Sequence, residues 1–170
     1  MLKFVKSLVF FVETGLVFFD NTFQMFRNLD IEEIVDMISQ TSLHTGIYIG
    51  CDSSQRKDHC VFATVVVIHH DRSRGANVFV KVDKTPRISS LRQRIMMEVY
   101  KAVEVAIMIY SLIPDRVIEV HLDINTSSSH ISSSLIKEAF GYVSAQGFKP
   151  VFKPQSFAAY CVADYVCKKH

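Results

Sequence analysis

The chain lacks the paired cysteines of a zinc site, a long uninterrupted hydrophobic run, and any strong charge of one sign. Its four cysteines, Cys51, Cys60, Cys161 and Cys167, include no CxxC pair. Zinc sites usually show tighter pairing, and Cys161 and Cys167 stand six apart, not three or four as on one helix face. Reduced, mostly buried thiols in a cytoplasmic protein are therefore expected, not structural zinc. The formal charge is only +2. It neither demands nor excludes a nucleic-acid partner, so any basic surface has to be a local patch. The opening "MLKFVKSLVFFVETGLVFF" mimics a signal peptide. Glu13 interrupts it, no small-residue cleavage motif follows, and the unbroken part is too short to span a bilayer. No membrane association is expected. Linkers, repeats and low-complexity tracts are also missing, and "NTSSSHISSS" reads as a short loop between periodic segments.

What is present is ample core material. The chain has 170 residues and 49% hydrophobic content, enough for one well-filled domain. Residues 1–14 read as an N-terminal extension and residues 15–170 as a single domain.

The periodicity sets an order of elements. "NLDIEEIVDMISQT" spaces Ile31, Ile34, Val35 and Ile38 as a helix face, with Asp30 as N-cap and Glu33 three residues on. "GIYIGCD" is a buried strand. "CVFATVVVIHH" and "ANVFVKVDK" form a hairpin across "DRSRG", where Gly75 suits a positive φ. "ISSLRQRIMMEVYKAVEVAIMIYSLI" is a long helix closed by Pro114. "RVIEVHLDIN" is a strand, and the next helix ends at Gly147. "FKPVFKP" is a strand that its prolines keep at an edge. A closing helix follows. The expected fold class is α/β: a mixed five-stranded sheet, three antiparallel strands then parallel crossovers, with helices on both faces.

Sites in such sheets lie outside the carboxyl ends of central strands. Asp52 ends the first core strand and Asp123 the fourth. Glu98 and Glu104 lie on the long helix, and Asp164 sits in the apolar "CVADYVC". A buried lone carboxylate is costly unless it is paired or binds a metal. Several converging carboxylates repel one another, and a hard divalent cation held by oxygens relieves that. Each acid also has a plainer role. Asp52 can cap a turn, Glu98 can pair with Arg94, Asp123 with His121, and Asp164 with Lys168. Helix phase leaves Glu98 and Glu104 both open.

The motifs "IYIGCDSSQ", "RIMMEVYKAVE", "VHLDIN", "KEAFGYVSAQGFKPVFKP" and "FAAYCVAD", in that order, resemble the YkuK group of the RNase H-like superfamily over residues 15–168. The resemblance implies a carboxylate site of Asp52, Glu98, Asp123 and Asp164 that holds Mg²⁺ or Mn²⁺. It favours Glu98 over Glu104, and it implies fold and site better than substrate. Asn125, His121, His130 and Lys153 are accessory candidates. Arg72, Arg74, Lys81 and Lys84 make the best basic strip. Two functions follow as expectations. One is a two-metal nuclease with Asp52 bridging the ions. The other is a nucleic-acid-binding or adaptor protein that keeps the fold without catalysis. Convergence of all four acids favours the first; a salt-bridged or scattered set favours the second.

Overall fold

Short local signals begin and end most elements. The structure, a computed structural model, describes residues 8–12, 15–19, 26–125 and 133–170. Strands β1 (Leu8–Val12) and β2 (Gly15–Phe19) pair antiparallel and make a two-stranded sheet of their own. After β3 (Arg27–Asn28), Asp30 caps helix α1 (Ile31–Ser39), its carboxylate accepting from the Glu33 N–H at 3.0 Å. Strands β4 (Gly46–Gln55), β5 (His59–His69) and β6 (Ala76–Pro86) follow. Ser90 caps helix α2 (Leu91–Leu112) by accepting from the Gln93 N–H at 3.2 Å. Pro114 stands just beyond its end. Strand β7 (Ile118–Leu122), helix α3 (Ser133–Ala145) and strand β8 (Lys149–Val151) come next. Gly75 and Gly147 take the positive φ expected of them, 86° and 85°. The closing helix opens with a wide π turn (Ala158–Ala163) and continues as α4 (Asp164–Lys169).

The main sheet has the order β3-β6-β5-β4-β7-β8. β4, β5 and β6 are antiparallel neighbours, β7 runs parallel to β4, and β8 runs parallel to β7 at the edge. The expected five strands are all there, and a sixth, β3, is added along β6 in parallel. Two residues are too few to show any alternation, so β3 carries no sequence signal.

Side chains alternate across β4. Ile47 and Ile49 face the layer of α1, α2 and α3, packing with Ile34, Val99 and Val103. Tyr48 faces the other side and packs with Phe157, Ala158 and Val162 of the closing segment. Helices therefore cover both faces. Gly50 lets the closing helix lie directly on the strand: a Cβ there would stand 2.6 Å from the Ala159 nitrogen and 2.8 Å from the Ala158 carbonyl carbon. This contact fixes the height at which Asp164 arrives.

Candidate metal centre

The last paired residues of β4 and β7 are Cys51 and Leu122. The next residue on each strand is an aspartate, Asp52 and Asp123. Parallel neighbours with this register bring the two carboxylates side by side on the face of the closing helix. Asp52 is only 8% exposed. Burial first, then the negative charge of Asp123, pushes its carboxyl up to about 7, with Asp164 adding to the rise. Its backbone is pinned from two sides. Its amide group lies in the β4–β5 ladder opposite Ala63, and the Cys167 thiol donates to its carbonyl at 3.0 Å. Burial holds that thiol up at about 12, so it stays protonated.

Glu98 reaches the same strand end from α2. It is 7% exposed and accepts a hydrogen bond from the Ser53 hydroxyl. Burial, and next the Asp52 charge, raises its carboxyl well above the usual range. Arg94, one turn earlier, donates to the Ser53 carbonyl at 3.4 Å and hydroxyl at 3.3 Å. It partly offsets both acids but spends its hydrogen bonds on Ser53, not on Glu98. Glu104 lies two turns further along α2. It lines an outer groove of about 440 Å³ with Tyr100, Ile107, Met108 and Tyr142, away from Asp52.

The other two acids carry cations. The Lys153 ammonium stands against Asp123 Oδ1. Lys168 pairs with Asp164 at 2.6 Å, one turn along α4. The four acids thus share one end of the sheet, with two of them salt-bridged and two not. Among the described residues, no three His, Cys, Asp or Glu side chains meet closely enough to hold one ion between them. Alternation is one reason. Asp52 faces the closing helix, whereas Ser53, and with it Glu98, faces α2. The donors are all hard oxygens, and two of them are buried carboxyls whose charge nothing fully balances. That set fits an open magnesium- or manganese-type site, which needs one or two carboxylates and completes its shell with water and substrate.

The accessory residues divide. His121 does not meet Asp123. Its Nε2 lies 3.8 Å from Glu119, and its Nδ1 accepts from the Ala158 N–H at 3.1 Å. Lys153 does reach the site, with its ammonium on Asp123. Asn125 follows Asp123 at the surface, and His130 lies outside the described residues. Three of the four residues of the basic strip face acids. Arg72 pairs with Glu119 at 3.6 Å, Arg74 with Asp71 at 3.0 Å and Lys81 with Asp83 at 3.9 Å. Arg72 and Arg74 also sit beyond β5, at the sheet end opposite Asp52.

Sequence reasoning missed two groups at the centre, Ser53 and Cys167. Ser53 carried a signal: it follows Asp52 on a buried strand, so its hydroxyl needs a partner on the α2 side. Among the described residues, no helix is long and apolar enough to cross a membrane.

A family model described as "Ribonuclease H-like" matches residues 30–168. The chain is also 30% identical over 136 residues to "Uncharacterized protein YkuK" of Bacillus subtilis (strain 168), an alignment that covers 71% of this chain and 77% of that one. No solved structure matches the chain. The matched span holds the whole six-stranded sheet apart from β3, together with all four acids, and the chain belongs to the ribonuclease H-like family, in its YkuK group.

Proposed function

We propose that the chain is a divalent-metal-dependent nuclease that hydrolyses nucleic-acid phosphodiesters, working in the cytoplasm, where unpaired thiols persist. The observation that carries this reading is the pair of buried carboxyls, Asp52 and Glu98, at the carboxyl end of an interior strand, both raised by burial and by their acidic neighbours. A structural carboxylate is normally paired to lower its pKa; these two are held in the opposite state, which marks functional sites. Bound Mg²⁺ or Mn²⁺ would neutralise phosphate charge and supply an activated water. The chain's own residues prepare for that. Asp52 and Glu98 would hold the ion, each as the ionised carboxylate. Ser53 aims Glu98, and Arg94 steadies Ser53. Asp123 and Asp164 stand at the same end of the sheet but carry Lys153 and Lys168, so the convergence expected of a nuclease is met by Asp52 and Glu98 and not by all four acids.

The test uses labelled RNA, DNA, hybrid and junction substrates with Mg²⁺, Mn²⁺ or EDTA, together with melting curves. Cleavage is expected with metal only, and millimolar metal should raise the melting temperature by roughly 3–6 °C. Asp52→Asn should lose both effects. Binding without cleavage, and no metal-linked shift in the wild type, would replace this reading with a nucleic-acid-binding protein that keeps the fold.

A further inference from the structure

Two lysines touch the acids of the centre, and they are held very differently. Lys168 is two-thirds exposed, and its pair with Asp164 joins residues one helical turn apart. Exposed pairs of this kind contribute little and are screened by salt. Lys153 is fixed at three points. Its backbone N–H donates to the Ile124 carbonyl at 3.3 Å, just past β7. Its ammonium lies on Asp123, and 5.4 Å from the centre of the Tyr160 ring. Only a third of the side chain is exposed. Asp123 comes from β7, while Tyr160 belongs to the π turn of the closing helix, so Lys153 bridges two of the elements that build the site.

We propose that the centre takes one divalent ion, not two, and that the Lys153 ammonium is its second, permanent cation. The proposal rests on the nuclease reading above. Asp123 has its charge balanced by a lysine anchored through its own backbone. Asp52 and Glu98 have no such partner, and they are the two carboxyls left to receive an ion. One ion on one or two carboxylates is ordinary coordination for magnesium. A second divalent ion beside Asp123 would have to displace or repel a unit positive charge held within contact distance.

The experiment is a Mn²⁺ titration of the intact chain, reading free Mn²⁺ by its electron paramagnetic resonance signal. Wild type, Lys153→Met, Lys153→Arg and Lys168→Met are compared, each checked for folding by circular dichroism. Wild type should bind one Mn²⁺, and Lys153→Arg, which keeps the charge, should do the same. Lys153→Met should bind a second Mn²⁺, or bind the first roughly tenfold more tightly because a neighbouring cation is gone. Lys168→Met should stay within about twofold of wild type. Two Mn²⁺ in the wild type, or a Lys153→Met titration that matches it, overturns the one-ion proposal and leaves the nuclease reading standing. No Mn²⁺ bound by any folded variant overturns both.

Discussion

Two buried carboxylates lie on the same face of neighbouring strands, at opposite ends, and they are treated in opposite ways. Glu119 lies at the start of β7, and Asp52 lies towards the carboxyl end of β4, which does not end on Asp52 as expected but runs on to Gln55 because Ser53, Ser54 and Gln55 keep pairing with β5. They are 9% and 8% exposed. Glu119 is surrounded by cations and donors. His121 lies at 3.8 Å, Lys149 at 3.2 Å and Arg72 at 3.6 Å. The contact with His121, and then Lys149, holds its carboxyl down at about 2. Asp52 is surrounded by other acids and held up at about 7. Exposure is nearly the same at both ends, but Asp52 lies deeper and burial is the first cause of its rise. At Glu119 the neighbourhood outweighs burial. One end is a structural clamp that ties β4, β7, β8 and the β5–β6 turn together. The other keeps a raised carboxyl at Asp52 although Lys153, Lys168 and Arg94 stand near its acids.

The largest expected effect breaks this comparison in two directions. Glu119→Gln should cost about 2–3 kcal/mol, because it leaves a nest of positive groups without its anion. Asp52→Asn should instead gain about 1–2 kcal/mol at pH 8 in EDTA, because it removes a charge that opposes folding. Urea melts of both variants measure this. Equal losses would show that the two ends do the same structural work.

A smaller effect sharpens it through pH. Glu119 has a lowered folded pKa, so its stabilisation is full above pH about 4.5 and is lost as pH falls towards about 2. Asp52 has a raised folded pKa, so the folded state holds its proton longer than the unfolded one. Its contribution therefore falls as pH rises from about 4 to about 7. In EDTA, Asp52→Asn should flatten the neutral limb of the stability profile, and Glu119→Gln the acid limb. A neutral limb that survives Asp52→Asn would assign it to another group.

The smallest effect concerns chain outside both ends. We propose that residues 1–14 form an appendage to a domain spanning 15–170. Deleting them should change the melting temperature by less than about 2 °C. A collapse in soluble yield would show that β1 supports the domain.

The sequence made the site end legible because its signals are local. Two buried strands carrying Asp52 and Asp123 towards their carboxyl ends, with a crossover helix between them, are enough to place the two acids together, although β4 itself runs past Asp52 to Gln55. Asp30 and Glu33 announced the start of α1, and the prolines beside Val151 kept β8 at the edge. The clamp was not legible. Glu119 did carry a hint, as an acid between Ile118 and Val120 on a buried strand. Its partners Arg72 and Lys149 come from the β5–β6 turn and from β8, both distant in the chain, and nothing near them in the chain points to it. His121 stood next to two candidates, Glu119 and Asp123, both at alternate positions on one face, and spacing alone does not choose between them. Lys153 could be named as an accessory candidate, but its partner could not be read from the chain because its three anchors are tertiary. The π turn likewise has no pattern of its own, and it is the packing on Gly50 that accommodates it.

Gly50 gives the centre an unusual inheritance. The atoms that crowd its absent side chain are main-chain atoms, the Ala159 nitrogen and the Ala158 carbonyl carbon. Where side chains collide, a second substitution can trim one of them and restore the fit. Backbone cannot be trimmed. Any lineage that gained a methyl group at position 50 would have to lift the whole closing helix, and Asp164 with it. The spacing between the first and last acids of the centre is therefore not open to gradual adjustment through this contact: it persists as it is or changes in one step.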